Sequence, residues 1–271
     1  MENARRKLTI ASFNVNSLRI RVPHLLAWIK ARAPDVVLLQ EIKCLEEEVP
    51  RLEIQGMGYQ VSAVGMKARH GVALLSKLPH RVELTALPGD ANDGEARYIE
   101  AVIDLPDAPH GRPLRVASIY LPNGNPISTD KFTYKLAWMD RLIAHARELL
   151  KREEILVLGG DYNVCPTDED VFDTVAMADD ALCQPATRQR FRALTHLGLV
   201  DAFHALHPAP HQYTFWDYQA GRWQRDEGLR IDHLLLSPQA ADLLEDAGID
   251  KEPRKQDKPS DHTPIWCRLA A

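Results

Sequence analysis

The sequence lacks the features of a membrane-spanning or secreted protein. No apolar run approaches the ~20 residues that a transmembrane helix requires. The N-terminal segment from Met1 to Lys7 is mostly charged or polar, which does not resemble a signal peptide. We therefore expect a soluble, cytoplasmic protein with no membrane partner.

Cysteines are also few, and they lie far apart. No close pair has the spacing of zinc ligands, and disulfide bonds are rare in a reducing cytosol. We therefore expect four unpaired thiols, at Cys44, Cys165, Cys183 and Cys267.

An excess of basic residues is missing as well. The chain has 33 Lys and Arg against 38 Asp and Glu, a formal net charge of −5, whereas nucleic-acid-binding domains are usually basic. The net charge alone argues mildly against a nucleic-acid binder, although phosphate contacts need only a basic rim. About half of the basic residues in or beside the predicted loops are expected to be ordinary solvated charges; the set is Arg19, Arg21, Lys67, Arg69, His70, Lys131, Lys135, Arg222, Arg225 and Arg230.

Strand-like and helical segments alternate along the chain, without internal repeats or a long linker. Runs rich in β-branched and aromatic residues predict strands at 8–15, 36–40, 59–64, 72–75, 98–103, 114–120, 155–158, 214–216, 231–236 and 265–269. Apolar stripes at three- or four-residue spacing predict helices at 22–31, 131–150 and 188–197. The pattern fits two packed β-sheets flanked by helices, an α+β sandwich. We expect a single domain over 1–271 with a folded core at about 8–269, because the candidate site residues come from both halves of the chain.

Polar side chains recur where the predicted strands end. The apolar run at 155–158 meets Gly159 and Gly160, which allow a sharp turn, and then delivers Asp161 and Asn163. Polar groups at strand ends are typical of a catalytic site on a β scaffold. The other members of the set are Asn14, Glu41, Tyr120, Asp232, Asp261 and His262.

The side-chain types in this set suit a hard divalent cation. Carboxylates, amides and imidazole without a thiolate favour Mg²⁺ or Mn²⁺, and such an ion polarises a phosphoryl oxygen. A second carboxylate can activate water, and Asp232 can orient and charge-stabilise His262. Each residue alone would more often cap a turn or lie at a core edge. Together they predict metal-assisted hydrolysis of a phosphate ester.

Seven short segments resemble the exonuclease III/apurinic-apyrimidinic endonuclease family, within the wider endonuclease/exonuclease/phosphatase superfamily. They occur in the family's order and spacing, and the resemblance covers residues 8–269. The segments are 12–16 (SFNVN), 39–43 (LQEIK), 70–75 (HGVALL), 120–123 (YLPN), 160–164 (GDYNV), 228–232 (GLRID) and 259–262 (PSDH).

The resemblance, closest to the bacterial exodeoxyribonuclease III-like members, implies both a fold and an activity. The fold is a DNase I-like, four-layer α/β sandwich with two mixed sheets. The activity is Mg²⁺-dependent cleavage of double-stranded DNA 5′ to abasic sites, with Mn²⁺ as a substitute ion. Exonuclease activity in the 3′→5′ direction and removal of 3′ blocks are implied as well. We further expect a monomer, associated with the nucleoid if the source is a bacterium.

The resemblance also assigns roles to the site residues. Asp161 activates or positions the attacking water, and Asn163 aids this and stabilises the transition state. His262, paired with Asp232, contacts the scissile phosphate, and Tyr120 lies against the same phosphate. The implied metal-site residues are Glu41 foremost, and then Asn14, Asp161, Asn163, Asp261 and His262.

The family's DNA contacts can be carried over in the same way. Asn123, Arg97 and Lys131 are expected to touch DNA. The pocket for a flipped-out abasic sugar rejects intact nucleotides by size, and it is expected to be lined by Phe215, Trp216, Leu229 and Ile231. The sequence alone leaves open whether Phe215 and Trp216 belong instead to the core.

Two other functions stay open. A superfamily relative acting on phosphoinositides, sphingomyelin or RNA 3′ ends would share segments 160–164 and 259–262, but segment 228–232 and the stretch around Phe215 favour the DNA-repair branch. A regulatory nucleic-acid-binding protein on a degenerate scaffold would usually have lost metal ligands or catalytic groups, and every proposed one is present here.

Overall fold

The computed structural model describes residues 6–105, 111–208 and 211–270, so residues 1–5 of the N-terminal segment lie outside it. Within the described part, twelve strands form two six-stranded sheets. The first has the order β11-β12-β1-β2-β4-β3, with β1 Lys7–Asn14, β2 Val36–Gln40, β3 Gln60–Val64, β4 Val72–Ser76, β11 Leu244–Ile249 and β12 Ile265–Ala270. The second has the order β5-β6-β7-β8-β10-β9, with β5 His80–Leu84, β6 Tyr98–Ile103, β7 Leu114–Tyr120, β8 Ile155–Asp161, β9 Val200–Asp201 and β10 Asp232–Leu236.

Three long helices cover the outer faces of the sheets, and three short ones lie in the connections. They are α1 Leu18–Arg32, α2 Arg51–Gln55, α3 Asp130–Leu150, α4 Pro185–His196, α5 Ala202–Leu206 and α6 Pro238–Ala241. Among the described residues, no helix is both long and apolar enough to cross a bilayer.

The layers follow from the alternation of side chains along each strand. In β2, Leu38 points into the core between the sheets, while Val37 and Leu39 pack outward in the cluster that includes α1. In β8, Val157 faces the same central core, and Leu158 packs in the cluster with α3 and α4. Both faces of both sheets are thus buried, which confirms the predicted sandwich of two mixed sheets flanked by helices.

The strand ends meet at one edge of the sandwich. β1 and β2 are parallel neighbours with Asn14 beside Gln40, and β7 and β8 are parallel neighbours with Tyr120 beside Asp161. β10 runs antiparallel to β8 and begins at Asp232, opposite Asp161. The side chains that follow these strands therefore open onto the same edge.

The two glycines before Asp161 are required by close packing rather than by a turn. A Cβ on Gly160 would lie 1.9 Å from the carbonyl oxygen of Ile119, and a Cβ on Gly159 would lie 2.6 Å from Leu38 of the opposite sheet. Both glycines belong to β8 itself. They let the end of this strand lie tightly against β7 and the other sheet.

Most predicted elements are confirmed, but the prediction of a strand at 214–216 is wrong. Phe215 makes only isolated bridges, to Leu229 and to His262. Three strands were not predicted. β5 is a charged edge strand, β9 has two residues, and β11 carries acidic side chains at an edge, so none has the apolar alternation on which the predictions depended.

Candidate active site

The polar strand-end residues converge on a cleft of about 400 Å³. Tyr120 and Asp161 reach it from the ends of β7 and β8, and Glu41 follows β2. Asp261 and His262 enter from the loop before β12. Residues far apart in the chain thus share one site, as the sequence predicted.

Asn14 joins the two carboxylates at the centre of the cluster. Its Nδ2 donates to Glu41 Oε1 at 2.8 Å and to Asp161 Oδ2 at 2.9 Å. Its Oδ1 accepts from the backbone N–H of Asn16 at 3.0 Å. The fully buried amide therefore fixes the spacing of the carboxylates.

The electrostatics of the two carboxylates differ. Burial raises the pKa of Asp161 to about 7, and the negative charges of Asp232 and Glu41 add to this, while His262 opposes it. Burial also acts to raise the pKa of Glu41, but Lys43 at 2.8 Å, the hydrogen bond from Asn14 and the charge of His262 together outweigh burial, so the pKa of Glu41 is lowered. Glu41 is thus held as a carboxylate, whereas Asp161 exchanges a proton near neutral pH.

The acidic cluster fits a metal ion. One ligand atom each from Glu41, Asp161 and His262 lie within 4.8 Å of one another, and oxygen donors predominate, as hard cations prefer. A divalent cation would also offset the burial and the neighbouring negative charges that together raise the pKa of Asp161. Asp261, another predicted ligand, borders the cleft and accepts from Asn16 Nδ2 at 2.9 Å.

His262 is paired with Asp232, as predicted. Its Nδ1 lies 2.8 Å from Asp232 Oδ2, and its Nε2 lies 3.8 Å from Asp161 Oδ2. Burial acts to lower the pKa of His262, but Asp232 and Asp161 outweigh it and raise that pKa to about 10. The protonated His262 can donate hydrogen bonds, and its place among the metal-site residues stays a prediction, because one of its ring nitrogens also belongs to the group that could hold an ion.

Asn163 is locked in place beside the cluster. Its backbone has a φ of 48°, which is uncommon outside glycine and must be stabilised by the surroundings. Its N–H donates to Asp161 Oδ1 at 2.9 Å, its Nδ2 donates to the carbonyl of Leu121 at 2.9 Å, and its Oδ1 accepts from Asn123 Nδ2 at 3.0 Å. The amide is therefore held in one orientation at the cleft wall.

Tyr120 borders the cleft on the other side. Burial, with the charges of Glu41 and Asp161, raises the pKa of Tyr120 well above its ordinary value, so its hydroxyl stays a donor. The guanidinium of Arg97 lies 4.8 Å from the centre of the Tyr120 ring, and its Nη1 donates to the Tyr120 carbonyl at 3.2 Å. Arg97, predicted as a DNA contact, is 7% exposed, and its contacts support Tyr120.

One wall of the cleft is apolar, and Trp216 is not part of it. Phe215, Leu229 and Ile231 line the cleft, with the Phe215 ring centred 5.0 Å from that of His262. Trp216 is completely buried, and its Nε1 donates to Asp226 at 3.0 Å. Successive side chains of extended backbone point to opposite faces, so only one of the two aromatic residues can face the cleft, and the prediction for Trp216 is wrong.

A second part of the apolar wall, packed against Leu229 and Ile231, was not predicted from sequence. It is a loop of turns between β8 and α4, and in it Phe172 packs 4.4 Å from the guanidinium of Arg222. No periodic pattern marks this segment, so sequence reasoning had no signal for it. This loop lines the cleft with Phe172, Met177, Asp180 and Leu182, and Arg222 lines it from the turns before β10.

A second groove of about 410 Å³ adjoins the cleft and shares Tyr120 and Asn123 with it. Its other lining residues are mainly basic or polar and include His70, Arg97 and the exposed Lys131. A polyanion that passes the cleft would therefore meet positive charge next to it.

Comparisons with known proteins match almost the whole chain. Residues 11–262 match the Endonuclease/Exonuclease/phosphatase family. The chain is 34% identical over 275 residues to exodeoxyribonuclease III of Haemophilus influenzae, covering 95% of this chain and 98% of that protein. The structure resembles a Neisseria 3′ phosphatase solved with a product DNA hairpin, with a TM-score of 0.91, 34% identity and coverage of 97% and 99%. It also resembles an AP endonuclease from Archaeoglobus fulgidus, with a TM-score of 0.90, 33% identity and coverage of 97% and 100%.

Proposed function

The chain belongs to the endonuclease/exonuclease/phosphatase family, and we propose from this that it is a metal-dependent DNA-repair nuclease that hydrolyses phosphodiester bonds next to abasic sites. The observation that carries the proposal is the cluster in which Asn14 ties Glu41 to Asp161, beside a His262 charged by Asp232. The cluster lies against an apolar cleft wall.

The metal is Mg²⁺ in this proposal, with Mn²⁺ as a substitute. Glu41 would be the principal ligand, with Asp161, Asp261 and Asn14 beside it. When bound, the ion polarises the scissile phosphate and neutralises charge that develops on it. The oxygen-rich donor set supports this choice.

The chain's own residues divide the remaining work. Water attacks the phosphorus, and its proton passes to Asp161, a buried carboxylate at the cleft that Asn14 holds beside Glu41. His262 donates through Nε2 to a phosphate oxygen, while Asp232 keeps the ring oriented and charged. The Tyr120 hydroxyl and the Asn163 amide donate to the same phosphate. The bond to the 3′ oxygen breaks, which leaves a 3′ hydroxyl.

The apolar wall selects the sugar. Phe215, Leu229 and Ile231 form a surface on which a flipped-out abasic sugar can pack, and flipping is easiest where a base is already missing. Leucine at 229 fills less space than an aromatic side chain would, so a 3′-terminal nucleotide or 3′ phosphate can also enter. We therefore include 3′→5′ exonuclease and 3′-end cleaning in the proposal.

DNA binds across both the cleft and the basic groove. Asn123 lies between the two, and Lys131 is exposed at the groove, where each can reach a backbone phosphate. Arg97 acts mainly by supporting Tyr120. The protein acts as a monomeric single domain in this proposal, because residues from 14 to 262 already complete one site.

One gel tests the proposal. End-labelled duplexes with an abasic site, a nick or a 3′ phosphate are each incubated with Mg²⁺ and with EDTA. We expect nicking 5′ to the abasic site and 3′-phosphate removal with Mg²⁺ alone. Intact abasic duplex with Mg²⁺ would contradict the proposal, and preferential hydrolysis of a competing inositol phosphate would favour the phosphatase alternative.

A further inference from the structure

Lys135 is a buried lysine that the proposed chemistry leaves unused. It lies in the second turn of α3 and is completely inaccessible to solvent. Its Nζ donates to three backbone carbonyls, of Pro122 at 3.2 Å, Asn123 at 3.0 Å and Asn163 at 2.6 Å. The sequence had suggested only a loop-proximal basic residue.

The environment of Lys135 is built for an ammonium group. Among the described residues, no carboxylate oxygen lies within 4.0 Å of its Nζ, so the charge is stabilised by the carbonyls instead of an ion pair. Burial lowers the pKa of Lys135 to about 7, but only the protonated amine offers three donors to three acceptors. Gly124 leaves room for the side chain, because a Cβ there would lie 2.6 Å from Lys135 Cδ.

The three carbonyls belong to the two loops that carry active-site amides. The Asn123 loop (residues 121–124) follows β7, and the Asn163 loop (residues 162–164) follows β8. A single atom, Lys135 Nζ, is therefore hydrogen-bonded to both loops. The Asn123–Asn163 and Asn163–Leu121 side-chain hydrogen bonds join the same loops at the cleft surface.

Asn163 depends on this contact more than an ordinary residue would. Its φ of 48° is a conformation that the surroundings must impose. Asp161 Oδ1 accepts from the Asn163 N–H at 2.9 Å, and Lys135 Nζ donates to the Asn163 carbonyl at 2.6 Å. A side chain therefore holds the backbone of Asn163 at each end. Small errors in the placement of a catalytic amide are costly to the reaction rate.

We propose that Lys135 is a positioning residue, which sets the Asn163 amide and the Asn123 loop for the reaction without touching the substrate. This inference rests on the proposed nuclease function. Replacing the ammonium by an apolar group of similar length would free three buried carbonyls and both loops.

The test is a double-mutant cycle. Lys135→Met is expected to lower the single-turnover rate on abasic duplex, measured at saturating enzyme, by about 10- to 100-fold. The enzyme concentration at half-saturation should change by less than about threefold, since Lys135 does not touch DNA and Asn123 keeps its hydrogen bond to Asn163. In an Asn163→Ala background the same change should cost no more than about twofold, because Lys135 acts through Asn163. Lys135→Arg should restore part of the rate.

Amide hydrogen exchange gives a second readout that does not depend on activity. In Lys135→Met we expect faster exchange in residues 121–124 and 162–164 than in the wild type, at equal protection of β7 and β8. Lys151→Met is the matched control, because Lys151 is exposed at the far end of α3 and, within the described part of the chain, pairs with Glu148 alone. If Lys135→Met does not fold, Lys135→Gln, which keeps two N–H donors, replaces it in both measurements.

Three results would overturn the inference. The first is an equal rate loss in the wild-type and Asn163→Ala backgrounds. The second is a higher enzyme concentration at half-saturation with an unchanged rate, and the third is unchanged amide exchange in both loops. Absence of cleavage by the wild type would instead contradict the proposed function, and the exchange measurement would still decide the role of Lys135.

Discussion

At the scale of single residues, three carboxyl groups of one site are set to different tasks by their neighbours. Glu41 lies beside Lys43 and has a lowered pKa, whereas burial raises the pKa of Asp161 to about 7. Asp232 is fully buried and faces His262. The proposed ligand, base and orienting group are thus the same functional group, differing in burial and in partner.

The first prediction concerns the crowding of Asp161 with Glu41 and Asp232. Asp161→Asn removes the general base, so the single-turnover rate should fall by at least about 10²-fold. The same change removes one of three close negative charges, so in EDTA the free energy of unfolding should rise by about 1–2 kcal/mol. Urea unfolding followed by circular dichroism measures this, and a less stable variant would contradict the assigned crowding.

The second prediction concerns the orientation of His262. Asp232→Asn keeps the size of the side chain but removes the charge that keeps the imidazole protonated and oriented, so the rate should fall by about 10²–10⁴-fold. DNA binding should change little, because Asp232 is buried. Asp242→Asn, at an exposed position on the C-terminal side of α6, serves as the control and should retain full activity. Near-normal activity of Asp232→Asn would remove the pair from the mechanism.

Residue types predicted the chemistry of the site better than its walls. Asn14 and Asp161 end strands, Glu41 follows one, Asp232 begins one and His262 shortly precedes one. Their convergence could therefore be predicted once the strands were recognised. The side on which a side chain points depends on local register, which is why Phe215 and Trp216 could not be told apart. The role of Lys135 was invisible for a similar reason, because only the folded loops show which carbonyls need a donor.

At the scale of elements, buried strands were predictable and edge strands were not. β2 and β4 are buried at every position, and their apolar runs mark them in the sequence. β5 has no buried apolar face, and its Val82 is 36% exposed. Such polarity protects a sheet edge from pairing with another chain, and it also removes the signal by which a strand is recognised.

Ionic contacts hold the β9–α5 corner to the segment that leads into β10. Arg230 donates to Asp170 and Asp201 at 2.7 Å each, and Asp201 also contacts His233 and caps α5. Burial acts to raise the pKa of Asp201, but Arg230 and His233 outweigh it and hold that pKa well below its ordinary range. Arg230 is itself buried. The corner therefore depends on the charge of Asp201.

The third prediction follows from this depressed pKa. Asp201→Asn should lower the free energy of unfolding at pH 7 by about 3–5 kcal/mol, because it leaves a buried guanidinium with one partner fewer. A depressed carboxyl pKa contributes its full stability above the unfolded value of about 3.9 and loses it as the pH falls further. The difference in free energy of unfolding between wild type and variant should therefore become smaller below about pH 5. Urea unfolding at pH 7, 5 and 4 measures it, and a gap independent of pH would contradict the charge assignment.

At the scale of the whole molecule, the site exists because two sheets end at one edge. Glu41 and Asn14 come from the first sheet, and Asp161 and Asp232 come from the second. The sheets are held together by an apolar core that reaches from Leu38 to Val157. If the sheets slid past each other, Glu41 and Asp161, which Asn14 joins, would move apart. The packing of the central core therefore also sets the geometry of the cluster.

The last prediction concerns how a chain of net charge −5 binds a polyanion. The basic groove, with Lys131 at its exposed rim, supplies positive charge locally, so Lys131→Ala should weaken binding of abasic duplex without changing the single-turnover rate at saturating enzyme. If Lys131 neutralises one phosphate, the slope of log affinity against log salt should decrease in magnitude by about 0.9. Lys151→Ala is the control, since it lies 20 residues along the same helix, about 30 Å away at the usual helical rise. Fluorescence anisotropy across a salt series measures both variants. An unchanged salt slope for Lys131→Ala would show that DNA does not follow this groove. An equal loss of affinity in Lys131→Ala and Lys151→Ala would show that the effect comes from net charge alone.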